Sequence, residues 1–251
     1  MPPSAPIGAR GHLWTIVLLA ALAAATASWA GGEAAHRRFL VARGADFPVA
    51  VRGNQDLSGK YLKSSYRVDQ ARLASASYGL LGGALGLVLG LAGGLWARTP
   101  GAATRAAAAG LILGAASGVA APRGLVPLYF RALDGVSEVA ESSDVLWALG
   151  THASIWAALG AAGGLALGLG LGGGARVAVR TIVGGGLGGV LAAVVYEVIG
   201  ALAFPTARSG LPVADIATLR ALSHFIPALA VAAAATLATS PSSRPAARLI
   251  N

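Results

Sequence analysis

Cysteine is absent from the 251 residues, so disulfides, thiolate metal sites and cysteine nucleophiles are excluded. Charge is scarce: 12% of residues are charged, against roughly 25% in a soluble domain. Acidic residues are scarcer still. Between Asp144 and Asp215 the only acid is Glu197. Long polar stretches are nearly missing, and 55% of the chain is hydrophobic. A soluble helix needs a polar face for water. These apolar runs have none, so one integral membrane domain is expected.

Several motifs are missing too. There is no H-E-x-x-H, no P-loop lysine, and no Gly-x-Gly-x-x-Gly between a strand and a helix. The Gly-x-Ser-Gly nucleophile motif of intramembrane serine proteases is approached only by Ala115-Ala-Ser117-Gly118. No enzymatic activity and no cofactor are therefore expected. The net charge is +9, but basic residues stand singly or in pairs at the ends of apolar runs. That pattern orients membrane helices. It gives the chain a lipid bilayer, not nucleic acid, as its partner.

What is abundant is glycine, at 36 residues. Glycine weakens a helix in water by about 1 kcal/mol relative to alanine. In lipid, unpaired backbone enforces the helix, and glycine becomes a device for close helix contact. Gly82, Gly86, Gly90 and Gly94 recur at intervals of four, as do Gly160, Gly164, Gly168 and Gly172. Gly110, Gly114 and Gly118 repeat the pattern, and Gly185 with Gly189 gives a shorter version beside Gly184 and Gly188. Residues four apart form one ridge of a helix. The expected fold is an all-α membrane protein of about six transmembrane helices in a glycine-ridge packed bundle.

The six apolar runs are His12–Ala30, Leu73–Ala97, Thr104–Ala121, Val145–Gly174, Val177–Phe204 and Leu219–Thr239. The first reads as an uncleaved helix or as a signal peptide ending at Ser28-Trp29-Ala30. Residues 1–30 thus form a tail and first helix, 31–72 a polar extramembrane segment, 73–239 a five-helix bundle, and 240–251 a tail. Alternation in Phe39–Val41 and Phe47–Val51 suggests a short β-hairpin. Leu133, Val136 and Val139 suggest an interfacial amphipathic helix within Pro122–Asp144.

The runs also suggest a parallel repeat of helical hairpins. Gly83–Gly94 resembles Gly163–Gly174 at a shift of 80, and Arg105, Gly110 and Gly114 match Arg180, Gly185 and Gly189 at 75. Arginines in the two tight turns and the C-terminal tail put these, with the N-terminus, in the cytoplasm. Only two of the 19 basic residues are lysine (Lys60 and Lys63), a bias of GC-rich bacterial genomes. A bacterial inner membrane is the expected location.

An acid at bilayer depth costs at least about 2.5 kcal/mol, so Glu197 needs a reason to be there. His152, His224, Tyr78 and Tyr196 are expected near its level. A Glu with two His can relay protons or hold a divalent metal, although no pair has the i, i+4 spacing of a convincing metal site. The plainer reading is an ion pair of Glu197 with Arg220 or Arg123.

Tyr78-Gly-Leu-Leu-Gly-Gly, Thr151-His-Ala-Ser-Ile-Trp156 and Tyr196-Glu-Val-Ile-Gly-Ala-Leu-Ala-Phe-Pro205 resemble uncharacterised Gly/Ala-rich multi-pass membrane proteins of GC-rich bacteria, over residues 73–205. The resemblance implies a fold but no activity. Two functions stay open. One is a non-enzymatic structural or assembly component, joined to a second copy or to other membrane subunits. The other is a small transporter or channel using the Glu/His site.

Overall fold

The computed structural model describes residues 7–40, 55–135 and 141–240. Six helices account for nearly all of them: α1 Ile7–Leu40, α2 Gln55–Trp96, α3 Pro100–Gly135, α4 Glu141–Leu171, α5 Gly174–Ala203 and α6 Ala217–Leu237. All six are long and apolar enough to cross a membrane. No strand occurs among the described residues. The chain is an all-α, multi-pass membrane bundle.

The helices outrun several sequence boundaries. The polar segment expected at 31–72 is divided. Residues 31–40 complete α1, 55–72 open α2, and 41–54 lie outside the described residues. Phe39 and Leu40 are helical, and the rest of the expected β-hairpin falls on undescribed residues. Pro122 does not end α3. The helix continues through Pro122 and Pro127 to Gly135, so residues 122–135, Leu133 among them, are no separate interfacial helix, while Val136 and Val139 lie outside the described residues. A proline removes one ladder bond. In a membrane, neighbouring helices and local adjustments re-satisfy the freed backbone group. Beyond the apolar runs, the extended ends of α2 and α3 meet through Asp134, which accepts from Lys63 at 2.9 Å and twice from Arg67 at 2.6 Å.

The glycine ridges dictate the packing. A Cβ on Gly82 would strike the Gly114 carbonyl, and one on Gly114 the Gly82 carbonyl; Gly86 and Gly110 block each other in the same way. Gly90 meets Ala106, Gly94 meets Ala103, and Gly118 meets Tyr78. In the second hairpin Gly160 and Gly185 are reciprocal, Gly164 meets Thr181, Gly168 meets Ala178, and Gly189 meets Trp156. Gly184 and Gly188 lie against Ala234 and Ala230 of α6. So α5 shows one glycine row to α4 and the adjacent row to α6. Gly172 is the exception among the expected packing glycines. It follows the end of α4, has φ +67°, and a Cβ on it would meet no neighbour, so it serves a turn.

These pairs also correct the internal repeat. A shift of 74 residues carries Tyr78, Gly82, Gly86, Gly90, Gly94 and Arg98 onto His152, Trp156, Gly160, Gly164, Gly168 and Gly172. The shift of 75 between α3 and α5 stands, since it carries Gly110 and Gly114 onto Gly185 and Gly189. The shift of 80 compares stretches that occupy different levels of their hairpins. Even the turns agree: Arg98 N–H donates to the Leu95 carbonyl at 3.1 Å, and Gly172 N–H to the Leu169 carbonyl at 3.2 Å.

The remaining helices close around the hairpins. Helix α1 packs on α2 and α6, while α4 touches α2, α3, α5 and α6. Residues 204–216 leave α5, turn inward and bury Leu211, Val213 and Ala214. Polar side chains from α2 hold this segment. Gln70 accepts from the Val213 N–H at 3.2 Å and donates to the Val213 carbonyl at 3.3 Å, and Tyr78 donates to the Pro212 carbonyl at 2.9 Å.

Candidate functional site

A hydrocarbon core about 30 Å thick takes about 20 helical residues. Counted from the tight turn after Leu171, that distance ends near His152 on α4 and, from Gly174, a turn short of Glu197 on α5. Both therefore stand at the core boundary farthest from the turns. The glycine contacts between α4 and α5 hold them side by side. His152 Nδ1 lies 2.6 Å from Glu197 Oε1, with His152 1% and Glu197 8% exposed. With Glu197 ionised, Nδ1 is the donor and Nε2 carries the lone pair or a second proton.

An aromatic cage surrounds the pair. Trp156, one turn below His152, stacks on it at 5.2 Å, and Tyr196 meets the imidazole edge-on at 5.2 Å. Trp156 also contacts Tyr196 at 5.4 Å and Tyr78 at 6.3 Å, and Tyr78 stacks on His224 at 6.2 Å. Four polar atoms in this group lack a protein hydrogen-bond partner: His152 Nε2, Trp156 Nε1, Tyr196 OH and His224 Nε2. On one side Glu197 lines a cavity of about 310 Å³, shared with Tyr129, Ala201, Arg208 and Ser209. In the other direction lie Leu81, Leu85, Leu89, Leu159 and Leu167, each at most 2% exposed. The pair sits between a cavity that carries Arg208, Ser209 and Tyr129 among aliphatic side chains and a wholly apolar floor.

Glu197, His152 and Tyr196 are thus brought together, while Tyr78 and His224 extend the cage through Trp156. His224 does not reach the acid. Its Nδ1 donates to the Arg220 carbonyl of its own helix at 2.8 Å. Among the described residues, no three His, Asp or Glu converge as a metal site would require. The expected ion pairs of Glu197 are also replaced. Arg220 faces α1, where its guanidinium grips Glu33 at 2.6 and 3.0 Å and donates to the Ala214 and Asp215 carbonyls. Arg123 is exposed on α3, turned to a different groove.

Sequence reasoning overlooked Trp156 and Glu33. Trp156 follows His152 by four residues, the spacing of neighbours on a helix face, so its place was readable. Glu33 had a fainter signal: a lone acid just after Gly31-Gly32, at the edge of an apolar run. No protein-family model, curated protein or solved structure matches this chain.

Proposed function

We propose that the chain is a non-enzymatic structural or assembly component of a membrane, a rigid six-helix platform. The observation that carries this reading is the reciprocal backbone contact of Gly82 with Gly114, Gly86 with Gly110 and Gly160 with Gly185. Helices joined backbone to backbone have little room to slide, because so close a packing leaves no voids to move into. Buried polar groups mostly act as staples between elements: Glu33 to Arg220, Gln70 to Val213, Tyr78 to Pro212 and His152 to Glu197. In this reading the N-terminus and the tight turns face the cytoplasm of a bacterial cell, and the His152 end faces outward.

The test uses purified protein in liposomes. Under this reading, Glu197→Gln and His152→Gln leave proton and divalent-cation flux at the level of empty vesicles, as does the unaltered chain. Proton-coupled flux that disappears in Glu197→Gln would replace the platform with the second reading, a small transporter. That reading draws on the unpartnered Nε2 of His152 and on the cavity at Glu197. Native cysteine is lacking, so single cysteines at Ser64 and Ser209 report orientation cleanly. Labelling of both by an impermeant reagent on intact cells places the His152 end outside; labelling of neither reverses the orientation.

A further inference from the structure

A second groove lies between α2 and α3 and reaches Phe39 near the end of α1, enclosing about 580 Å³. Its two ends differ chemically. Ala76 and Val119 line one end with apolar surface, while Arg72, Arg123 and Arg131 bring guanidinium groups to the other. Their levels follow from the helix geometry. About 20 residues span the hydrocarbon core. Counted from the turn at Trp96–Pro100, that span ends near Ala76 on α2 and Val119 on α3. Arg72 and Arg123 stand one turn farther out, at about 1.5 Å per residue, and Arg131 stands two turns beyond Arg123. Hydrocarbon-depth surface thus runs directly into a basic rim at headgroup depth.

The rim holds cations in search of anions. Arg123 and Arg131 are exposed and have no hydrogen-bond or ion-pair partner among the described residues. Arg72 reaches Asp69 only loosely, at 3.7 Å. The neighbouring Arg67 differs, being saturated by Asp134 and lying 5.4 Å over the Phe130 ring. Residues 41–54 carry Arg43 and Arg52 against Asp46, so they add no net negative charge. Guanidinium forks match phosphate oxygens, and basic pockets between membrane helices take anionic headgroups.

We propose that this groove binds an anionic phospholipid, with its phosphate held by Arg123, Arg131 and Arg72 and an acyl chain laid along Ala76 and Val119. The site is separate from the Glu197 pair and does not depend on the platform reading. The full-length protein, equilibrated in micelles with phosphatidylcholine and phosphatidylglycerol, is repurified and its retained lipid counted by mass spectrometry. Phosphatidylglycerol is enriched over phosphatidylcholine by at least about tenfold. The exposed double variant Arg123→Gln/Arg131→Gln loses that enrichment, whereas Arg98→Gln/Arg105→Gln at the other membrane face keeps it. Ala76→Leu, which shortens the apolar floor, lowers retention with every arginine in place. Equal retention of the two lipids, or enrichment that survives in the double variant, overturns the proposal. So does displacement of the lipid by equimolar inorganic phosphate, which would make this a site for phosphate alone.

Discussion

The two glycine hairpins, α2–α3 and α4–α5, share one packing register and differ in what they carry at the open end. At one equivalent position stand Tyr78 and His152; at the next turn, Gly82 and Trp156. Opposite them, the shift of 75 sets Pro122 against Glu197. The first hairpin therefore ends in a tyrosine that fastens a loop, and the second in a titratable pair inside an aromatic cage. Below that level the hairpins are alike. Glycine contacts fix the scaffold, and a few substitutions at its mouth set the chemistry.

The largest test asks whether the scaffolds are equivalent. Gly86→Leu and Gly160→Leu each push a side chain into a facing backbone that cannot move aside. Both should cost about 3 kcal/mol or more, the upper end of overpacking penalties, measured by unfolding in mixed micelles. A large loss in one hairpin alone would break the equivalence. The mouths should then separate the hairpins. His152→Phe leaves the Glu197 carboxylate without its buried donor and should cost about 2 kcal/mol. Tyr78→Phe removes a neutral bond to a carbonyl and should cost about 1 kcal/mol.

The turns allow a reciprocal exchange. Arg98 adopts φ +54°, in the left-handed region that disfavours side chains, where its counterpart Gly172 adopts +67°. Arg98→Gly should stabilise by about 1 kcal/mol and Gly172→Arg should destabilise by as much. The smallest expected effect is at Gly150, which a Cβ would leave in open space. Gly150→Ala should raise stability by less than about 1 kcal/mol, against a large loss for Gly160→Ala in the same helix.

The periodicity of four was legible in the sequence because bare backbone has one principal use in lipid. Helix ends were less legible. Pro122 reads as a boundary, but α3 continues past it, and its extension meets Lys63 and Arg67 of α2 through Asp134. The repeat was visible and its shift was not, because Gly, Ala and Leu match at many offsets and only facing pairs select one. At the site, depth singled out Glu197, while its partner depended on neighbours. Arg220 was spoken for once α6 lay beside α1, and that adjacency leaves no mark in a single sequence.

The clasp between Glu33 and Arg220 joins residues 187 positions apart, from the first helix to the last. During synthesis α1 enters the membrane long before α6 exists. Its carboxylate must await an arginine from the final stretch of chain, and loop closure over such a distance is slow. The locally wired hairpins need no such wait, and α1, which packs on α2 as well as on α6, gains its clasp only when α6 arrives. Without α6, Glu33 at the rim of α1 would lose the guanidinium that holds both its oxygens.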